Sequence, residues 1–386
     1  MSAYVESEEL RDLRAAVAEL AAKYGQGYLL EKAKSGEHTS ELWEEAGRLG
    51  YLGVNIPAEY GGGGAGISEL AVVCEELAAG GCPLLLLVVS PAICATILAR
   101  YGTDAQKQAW LPAMADGSKL MAFAITEPDA GSNSHRITTT ATPDGDGWVL
   151  NGRKHYISGV DHADAVLVVG RIARGDRLRP ALFMVPTDAP GFEYREIPME
   201  LTSAERQFGV FLDDVRLPGD ALVGAEDAQL GALFAGLNPE RITVAAYCVG
   251  MGRFALARAA AYARDRKVWD TPIGAHQGVA HPLAAAAIQL ELAKLMTQKA
   301  AALFDAGEAA REDAGEAANM AKYAAAEANI AAVDAAIQAH GGHGMSTEYG
   351  LGPLWGAARA ARIAPVSREM ILNFVAQHTL GLPKSY

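Results

Sequence analysis

The spacing of hydrophobic positions changes twice along the chain, and the first zone has the period of an α-helix. Apolar residues recur at i, i+3 and i+4 over residues 6–20, 39–49 and 70–79, the pattern of helices with one buried face. A run of glycines at residues 60–64 interrupts this pattern and predicts a loop. We therefore predict an N-terminal helical domain over residues 1–118.

The second zone, residues 119–224, has short β-prone runs in place of the helical period. Such runs, bounded by glycine, proline and aspartate, predict strands joined by tight turns. The predicted strands are residues 138–142, 148–150, 165–169, 182–186 and 210–212. The predicted turns are residues 144–147, 151–152, 174–176 and 189–191. We expect this zone to form a compact antiparallel β domain, a small barrel.

The third zone, residues 225–386, returns to the helical period and is rich in alanine. Long helices are predicted over residues 240–265, 280–306 and 314–340. Because alanine side chains let helices approach closely, we expect a tightly packed helical bundle. The order of helices, sheet and helices places the chain in the α+β class.

One stretch, residues 82–99, contains no charged residue and is barely long enough to be considered as a membrane span. Pro83 and Pro91 interrupt it, and polar sequence lies on both sides. We therefore predict a pair of buried helices here, and no membrane contact.

The overall charge excludes one class of partner. Of the 386 residues, 33 are lysine or arginine and 46 are aspartate or glutamate, which gives a formal net charge of −13. A chain this acidic is not expected to bind nucleic acid or an anionic membrane surface. Half of the residues are hydrophobic (50%), and a chain of this length is expected to form two or three domains.

The four cysteines lie in apolar surroundings and form no CxxC or other metal-binding spacing. Buried thiols in a reducing compartment are therefore expected. Residues 1–14 are acidic and show neither the apolar core of a signal peptide nor an arginine-rich amphipathic pattern. We expect a cytoplasmic protein.

Residues 123–133 carry the first candidate chemistry. A strand runs into a turn of small and hydroxyl residues, which exposes backbone N–H groups and the hydroxyls of Thr126 and Ser132. Such a turn can donate hydrogen bonds to a planar heterocycle or a phosphate; an ordinary Pro-Asp turn is the alternative. His340 and His343 flank two glycines, but no carboxylate or cysteine lies at ligand spacing, so no metal site is expected.

This segment resembles the signature of the acyl-CoA dehydrogenase family of flavoproteins, and three further elements of that family follow in order. They are Tyr156-Ile157-Ser158-Gly159, then Arg266-Lys267-Val268-Trp269 followed by His276-Gln277, and finally Gln338-Ala339-His340-Gly341-Gly342-His343-Gly344. The resemblance covers essentially the whole chain. It implies the fold of that family: an N-terminal helical domain, a middle antiparallel β-barrel domain and a C-terminal four-helix bundle.

The resemblance also implies FAD as the cofactor. The residues that line the isoalloxazine ring would be Phe123, Thr126, Gly131, Ser132, Tyr156 and Ser158. Those that hold the pyrophosphate and adenosine end across a dimer interface would be Arg266, Trp269, Gln277, Gln338 and Gly342, with Ser367 and Glu369 also at the cofactor. Arginine presents a permanent forked cation to phosphate oxygens, and glycine lets the backbone approach them closely. The usual assembly of the family is a homotetramer built from dimers.

The reaction implied is the α,β-dehydrogenation of an acyl-CoA thioester to the trans-2-enoyl-CoA, with electrons passed to an electron-transfer flavoprotein. A carboxylate removes the α-proton, and the β-hydrogen leaves as hydride to the flavin. Most members place this glutamate in a loop before the last helix, where the present chain has Pro365. In isovaleryl- and long-chain-type members the glutamate lies on a helix of the carboxyl-terminal domain, and Glu240 matches that position. Arg241, Asn238 and Ser132 would then contact the substrate.

The sequence around Glu240 does not determine how basic its carboxylate is. Asn238 has the features of a helix N-cap with Pro239 at the first helical position, which would place Glu240 in a first turn. The helix dipole would lower the pKa of its carboxyl group, whereas burial would raise it. Pro365 also lacks the backbone N–H that would bond the thioester carbonyl in the family. Glu369 is the second candidate for the base.

Three alternatives remain open on the same residues. A related flavin oxidase or monooxygenase would show fast reaction of its reduced flavin with oxygen. A dehydrogenase of the same fold could act on an acyl group bound to a carrier protein. A weakly active partner subunit of a hetero-oligomer is suggested by Pro365, although Glu240 and the set of FAD contacts argue against it.

Overall fold

The chain, described by a computed structural model over residues 6–174, 177–224 and 229–384, contains helices, then a sheet, then helices. This order is the one that the sequence predicts. The helices that precede the sheet are α1 (Glu8–Ser35), α2 (Ser40–Arg48), α3 (Ile67–Ala79), α4 (Leu85–Leu87), α5 (Thr96–Tyr101) and α6 (Asp104–Ala115).

The three helices predicted in the first zone are confirmed, and α1 is longer than predicted. Gly25 interrupts α1 with φ 69° and ψ 175°, values outside the helical region. A glycine adopts this positive φ at low cost because it lacks a Cβ atom. The helical repeat resumes after it, and the element ends at Gly36 in a left-handed cap.

Residues 82–99 do not form the predicted pair of helices. Instead α4 passes through a π-helical stretch, Val88–Ala95, into α5 without a break. Pro91 lies in the π-helical stretch, where the regular i→i−4 hydrogen bonding is already displaced and the missing N–H is accommodated. The segment is therefore one buried helical run, and it packs against both the sheet and the carboxyl-terminal helices.

The middle zone forms a curled seven-stranded sheet in the order β1-β4-β2-β3-β7-β6, with β5 paired to the other edge of β4. Most neighbours are antiparallel, as predicted, but β4 runs parallel to both β1 and β2. The strands are β1 (Met121–Ala124), β2 (Thr140–Asp144), β3 (Gly147–Ser158), β4 (Ala165–Arg174), β5 (Arg177–Pro186), β6 (Phe192–Ile197) and β7 (Gln207–Leu217). The sequence did not predict β6.

The predicted turn at residues 151–152 is wrong, because these residues lie inside β3. The β3–β7 register shifts between Leu150 and Gly152, so the glycine marks a bulge and not a strand end. A Cβ atom on Gly152 would lie 2.4 Å from the Thr139 hydroxyl oxygen, so this close approach requires glycine. The turns at residues 144–147 and 189–191 are confirmed, whereas the turn at 174–176 includes residues outside the described ranges.

The helices that follow the sheet pack as a bundle of alanine-rich faces. They are α7 (Gln229–Asp265), α8 (Gln277–Asp305), α9 (Arg311–His340), α10 (Leu351–Ile363) and α11 (Arg368–Phe374). A two-stranded ribbon, β8 (Lys267–Val268) and β9 (Thr271–Pro272), connects α7 to α8, and a π-helical stretch, Val375–Thr379, follows α11. Alanines of α9 are buried against α7 and α8, as the composition predicts.

The predicted start of a helix at Asn238 and Pro239 is wrong. α7 already includes Gln229, so Pro239 and Glu240 lie in the interior of the helix. Packing of α7 against α3 and α9 overrides the local signal for a helix start. The helix-dipole term considered above therefore does not act on Glu240, because that term is confined to the first turn.

A large hydrophobic cluster joins the amino-terminal helices, the sheet and the bundle, and a smaller one lies between α7, α9 and α10. Across the described ranges, no helix combines the length and the apolarity needed to cross a membrane. The same residues contain no group of three or more histidine, cysteine, aspartate or glutamate side chains that could hold a metal ion.

Candidate active site

The turn that follows β1 is anchored by a buried ion pair. The Glu127 carboxylate accepts hydrogen bonds from the backbone N–H groups of Thr138 (2.5 Å) and Thr139 (2.9 Å), and from the Lys154 ammonium (2.9 Å). Burial raises the pKa of Glu127, but hydrogen bonding at Thr139 and the charge of Lys154 outweigh burial and lower it to about 2. The pair therefore links the turn to β3 in a fixed geometry.

The predicted isoalloxazine contacts lie around this anchored turn. Phe123 is a buried residue of β1, and the Thr126 carbonyl accepts a hydrogen bond from the backbone N–H of His155 (2.9 Å). Tyr156 follows with φ 57° and a side chain that is 55% exposed. This strained backbone presents a large aromatic ring to solvent beside the turn, an arrangement typical of a ligand surface.

The remaining three residues of this first group also face outward or lie close to the surface. Gly131 and Ser132 are exposed in the turn. Space is open where a Cβ atom on Gly131 would lie. The Ser158 hydroxyl exchanges hydrogen bonds with the Gln207 side chain at 3.0–3.1 Å.

The predicted contacts of the adenosine half form a second group at one end of the bundle. Arg266, Gln277, Gln338 and Gly342 are exposed, and Trp269 is 85% exposed with φ 51°. These residues come from the α7–α8 connection and from the end of α9 with the 3₁₀ turn that follows it. An almost wholly exposed tryptophan is costly in water and is typical of a surface that binds a ligand or another chain.

Tyr262, near the end of α7, holds the two parts of the second group together. Its ring stacks on that of His340 with centroids 4.3 Å apart, and its hydroxyl lies 2.9 Å from Nδ1 of His343. Both histidines therefore have aromatic partners and serve the packing of this end of the bundle. Among the described residues, no hydrogen bond, ion pair or ring contact joins the second group to the first.

Glu240 lies in the interior of α7, the helix of the bundle that packs against the π-helical stretch and β5. Burial raises the pKa of its carboxyl group to about 7, although the charges of Arg241 and Lys322 act to lower it. The charge of Glu240 in turn contributes to the raised pKa of Cys94, whose Sγ lies 3.6 Å from the Ala122 carbonyl of β1. The carboxyl group is thus close to the strand that carries Phe123, while its residue remains partly accessible.

Arg241 provides an unpartnered donor beside this carboxyl group. One of its terminal nitrogens donates to the Asn238 side-chain oxygen at 3.0 Å, but its buried Nε has no hydrogen-bond partner. A buried guanidinium N–H without an acceptor is costly and is expected to meet a ligand. The predicted substrate contacts Asn238 and Arg241 therefore lie together, whereas Ser132 belongs to the first group.

A small cavity of about 40 Å³ opens at Asn238. Arg100 and Arg311, which the sequence analysis did not single out, line it together with Phe234. The guanidinium of Arg100 lies 4.3 Å from the centre of the Phe304 ring, which holds it at the cavity. No motif predicts these two arginines, because they come from α5 and α9 and meet only in the folded chain.

The loop between α10 and α11 is bonded to Lys322, a residue of α9 whose charge acts on Glu240. Pro365, joined to Ala364 by a cis peptide bond, precedes Val366, whose carbonyl accepts a hydrogen bond from the Lys322 ammonium at 2.5 Å. Ser367 caps α11 by accepting from the backbone N–H of Met370, and Glu369 is exposed in the first turn.

Lys322 was not predicted as a functional residue. A signal for it exists in the sequence, because α9 is otherwise rich in alanine on its buried face. Asn319, Lys322, Asn329 and His340 are the polar residues at buried positions of α9. Fully buried polar side chains are rare unless they have specific partners.

A second cavity, about 780 Å³, lies elsewhere, between α1, α7 and the loop before α10. Gln26 crosses it by donating to the Gly350 carbonyl (2.7 Å) and accepting from Arg258 (3.1 Å). None of the predicted site residues lines this cavity. Arg258 is one turn from Tyr262, so the cavity is near the second group.

The residues present fit FAD. The first group offers hydroxyls, an open glycine turn and the exposed Tyr156 ring for a flat heterocycle. The second offers an exposed cation, two glutamine side chains and the Trp269 ring for a phosphate and an adenosine.

Three family models match successive parts of the chain. The acyl-CoA dehydrogenase N-terminal domain matches residues 7–118, the middle domain residues 122–215 and the C-terminal domain residues 231–380. Together they cover most of the chain in the order that the fold shows.

Individual proteins agree with the family models. Acyl-CoA dehydrogenase FadE12 of Mycobacterium tuberculosis is 66% identical over 389 aligned positions, which cover 100% of this chain and 99% of the relative. A glutaryl-coenzyme A dehydrogenase solved with glutaryl-CoA superposes with a TM-score of 0.93 at 30% identity, covering 99% of this chain and 98% of the other.

A Mycobacterium smegmatis glutaryl-CoA dehydrogenase in complex with FADH2 superposes with a TM-score of 0.89 at 28% identity, covering 99% and 96% of the two chains. Its cofactor agrees with the donor set described above. The chain therefore belongs to the acyl-CoA dehydrogenase family of FAD-dependent oxidoreductases.

Proposed function

We propose that this protein converts an acyl-CoA thioester to its trans-2-enoyl-CoA, with Glu240 as the base that removes the α-proton and an electron-transfer flavoprotein as the electron acceptor. The observation that carries the proposal is the Glu240 carboxyl group, whose pKa burial raises to about 7 beside the unpartnered Nε of Arg241. A general base is most effective when its pKa is near the working pH.

Glu240 accepts the α-proton on a side-chain oxygen in a site from which protein atoms have displaced most of the water. The proton affinity of its carboxylate is high because burial destabilises the charged form. FAD, when bound, supplies the acceptor for the β-hydrogen. The charge of Glu240 acts on Cys94, whose thiol contacts the Ala122 carbonyl next to Phe123, and this supports a site in which one substrate meets both the base and the flavin.

Arginines are the proposed contacts of the CoA part of the substrate. Arg241 and Asn238 lie next to the base, and Arg100 and Arg311 line the cavity at Asn238. Their guanidinium groups match the geometry and charge of phosphate oxygens. Ser132, in the turn of the first group, is the third proposed substrate contact.

The two groups of cofactor contacts support a homo-oligomer. Each group includes exposed residues, and the described residues show no direct contact between the groups within one chain. We propose that a dimer completes each FAD site with Arg266 and Trp269 from the second copy, and that two dimers form the tetramer. The four free, buried cysteines support a reducing, cytoplasmic location.

One observation favours a second candidate function. Pro365 has no N–H to stabilise the thioester carbonyl, and the loss of one such donor costs about 3 kcal/mol. A weakly active subunit that works with a second, different chain would account for this loss. The substrate titration described next distinguishes the two candidates.

The first test is an anaerobic titration of the FAD-loaded protein with a series of acyl-CoAs of different length and branching. Loss of the oxidised flavin absorbance with one chain type is expected, and it would identify the substrate class. FAD-loaded protein that no acyl-CoA reduces would favour the partner-subunit function. Protein that takes up no FAD would contradict both.

The base is tested by Glu240→Gln, which keeps the size of the side chain and removes its basicity. We expect reduction by substrate to slow by about 10³-fold while FAD remains bound. In the unaltered protein, kcat/KM should rise with pH through about 7, because Glu240 acts only when it is deprotonated.

Glu44→Gln, an exposed substitution on α2, is the control and should change neither quantity. Full activity of Glu240→Gln would exclude Glu240 as the base.

A further inference from the structure

Lys322 is a lysine in the interior of the helical bundle. It lies on α9, is 1% exposed and is surrounded on that face by buried alanines. Its ammonium donates a hydrogen bond to the Val366 carbonyl at 2.5 Å, which ties α9 to the loop between α10 and α11. Burying an ammonium group costs several kcal/mol, so a buried lysine needs specific compensation.

The titratable groups around Lys322 come from α7 and from its own helix. They are Glu240, Arg241 and Cys248 on α7 and Glu327 on α9. Burial lowers the pKa of Lys322 to about 8, against the attraction of Cys248 and Glu240 and with the repulsion of Arg241. The ammonium therefore stays protonated at neutral pH.

Few charged groups act on the pKa of the Glu240 carboxyl group. Among the described residues, Arg241 and Lys322 are the cations that act on its carboxyl group, and Cys94 is the buried titratable group of the π-helical stretch on which it acts. Arg241 is the neighbour of Glu240 along α7, so its distance from the base varies little. Lys322 is the cation that comes from a different helix and also holds the loop.

We propose that Lys322 is a positioning residue of the active site, whose ammonium holds the Val366 carbonyl of the loop at residues 364–367 while its charge acts on the Glu240 carboxylate. This inference rests on the proposed function for the role of Glu240. One hydrogen-bonded cation then couples two properties of the site, the position of the loop and the charge of the base.

Loss of the Lys322 ammonium should change both the position of the loop and the pKa of the base. Removing the ammonium leaves the Val366 carbonyl without its donor and Glu240 with one cation fewer. An uncompensated carboxylate binds protons more tightly, so the pKa of Glu240 should rise by about one unit. A loop that loses a buried hydrogen bond should open more often.

The test compares Lys322→Met, Lys322→Gln and Lys322→Arg in the FAD-loaded protein. Methionine removes charge and donor, glutamine removes only the charge, and arginine keeps both. Lys299→Met, exposed on the outer helix α8, is the matched control.

Two readouts need no substrate. The infrared carbonyl band of protonated Glu240, identified by its absence in Glu240→Gln, reports the pKa of the base during a pH titration. Hydrogen exchange of the peptide that covers residues 364–370 reports opening of the loop. The pH profile of kcat/KM is a third readout where turnover is measurable.

In Lys322→Met we expect the Glu240 titration to move about one unit upward, with a tenfold loss of kcat/KM on the acid side of the profile. Exchange at residues 364–370 should quicken about tenfold. In Lys322→Arg, the Glu240 titration and the exchange at residues 364–370 should both be close to those of the unaltered protein. Lys322→Gln should shift the Glu240 titration upward. Lys299→Met should change neither the titration nor the exchange.

An unchanged Glu240 titration in Lys322→Met or Lys322→Gln would overturn the proposal, even if either variant is less stable, because stability alone does not require that shift. If Lys322→Met does not fold, Lys322→Gln decides by the same titration. If the unaltered protein reduces no FAD with any acyl-CoA, the proposed function fails while the infrared and exchange results still decide the role of Lys322.

Discussion

The pKa values of two glutamates, the buried Glu127 and the partly accessible Glu240, shift in opposite directions, and the difference lies in what their carboxyl oxygens contact. Glu127 accepts hydrogen bonds from two backbone N–H groups and a lysine, and its pKa falls to about 2. Glu240 has nearby cations, but within the described ranges no group donates a hydrogen bond to its carboxyl oxygens, and burial raises its pKa to about 7. One carboxyl group is therefore a permanent anion that holds structure, and the other can exchange a proton.

The ion pair of Glu127 and Lys154 allows a prediction about stability. Lys154→Met removes the cation and leaves a buried carboxylate, which should lower the free energy of unfolding by about 3 kcal/mol or more at pH 7. Urea denaturation measures this change. FAD affinity should fall with it, because the pair anchors the turn that carries Thr126.

The matched control is Arg216→Met, which removes the cation of an exposed pair with Asp144 in the same sheet. Its effect should be much smaller, since exposed pairs contribute little. The stabilisation by Glu127 is present above its ordinary pKa of 4.5 and is lost as pH falls toward about 2, so the loss in Lys154→Met should shrink in acid. Equal losses for both variants at pH 7 would contradict this prediction.

At the scale of single elements, α3 depends on a residue from a distant helix. Its N-cap, Gly66, has no side chain, and the Asp305 carboxylate at the end of α8 accepts from the backbone N–H groups of Ile67 (2.8 Å) and Ser68 (2.9 Å). A Cβ atom on Gly66 would lie 2.5 Å from that carboxylate, so the glycine makes room for the cap. The first and third zones of the chain are thereby joined.

Asp305→Ala should lower the free energy of unfolding by about 1–2 kcal/mol, because the first turn of α3 loses an acceptor for two N–H groups. Hydrogen exchange should also quicken at residues 67–70 before it changes elsewhere. Asp334→Ala, an exposed position in the middle of α9, is the control and should leave stability nearly unchanged. If the two variants were equally stable, the cap would have no energetic role.

At the scale of the whole molecule, the proposed FAD contacts lie in two separate groups of one chain, and each group includes exposed residues. The first is built on β1 and β3, and the second on the α7–α8 connection and the end of α9. The exposed Trp269 and Tyr156 rings are large apolar surfaces that a second copy and the cofactor would cover. A site shared between two copies makes a specific prediction about mixed oligomers.

Glu240→Gln and Arg266→Ala chains, each inactive or weak alone, should restore activity when they are co-expressed and purified through two different tags. One site of each mixed dimer then combines Glu240 from one copy with Arg266 from the other. We expect about a quarter or more of the unaltered activity per subunit at limiting FAD. Activity no higher than the mean of the two parents would show that both groups act within one chain.

The sequence predicted much of the fold through local patterns. The period of apolar residues predicted α2 and α3 closely, and short β-prone runs predicted most strands of the sheet. It missed β6 and misplaced a turn at Gly152, because a bulge and a strand end both favour glycine. It also began α7 at Asn238, because the N-cap signal is local and the packing that extends α7 is not.

In the candidate site, too, contiguous motifs were predicted from the sequence, whereas residues brought together by folding were not. Three parts of the candidate site were recognisable from the sequence because each is a contiguous run of residues. They are the turn at residues 123–133, the connection at residues 266–277 and the glycine-containing run at residues 338–344. Lys322, Arg100 and Arg311 were missed, because each comes from a different stretch of helix and has no motif around it.

The sequence by itself determined the order of helices and sheet, the family of the chain, its FAD chemistry and the candidacy of Glu240 as the base. These depend on residue identity and on spacing along one chain. Only the tertiary structure decided that burial raises the pKa of the Glu240 carboxyl group to about 7, that Lys322 bonds the loop of Pro365 to α9, and that Asp305 caps α3. The reason is physical: burial, charge and hydrogen bonding at each site come from segments far apart in sequence, and those distances exist only after folding.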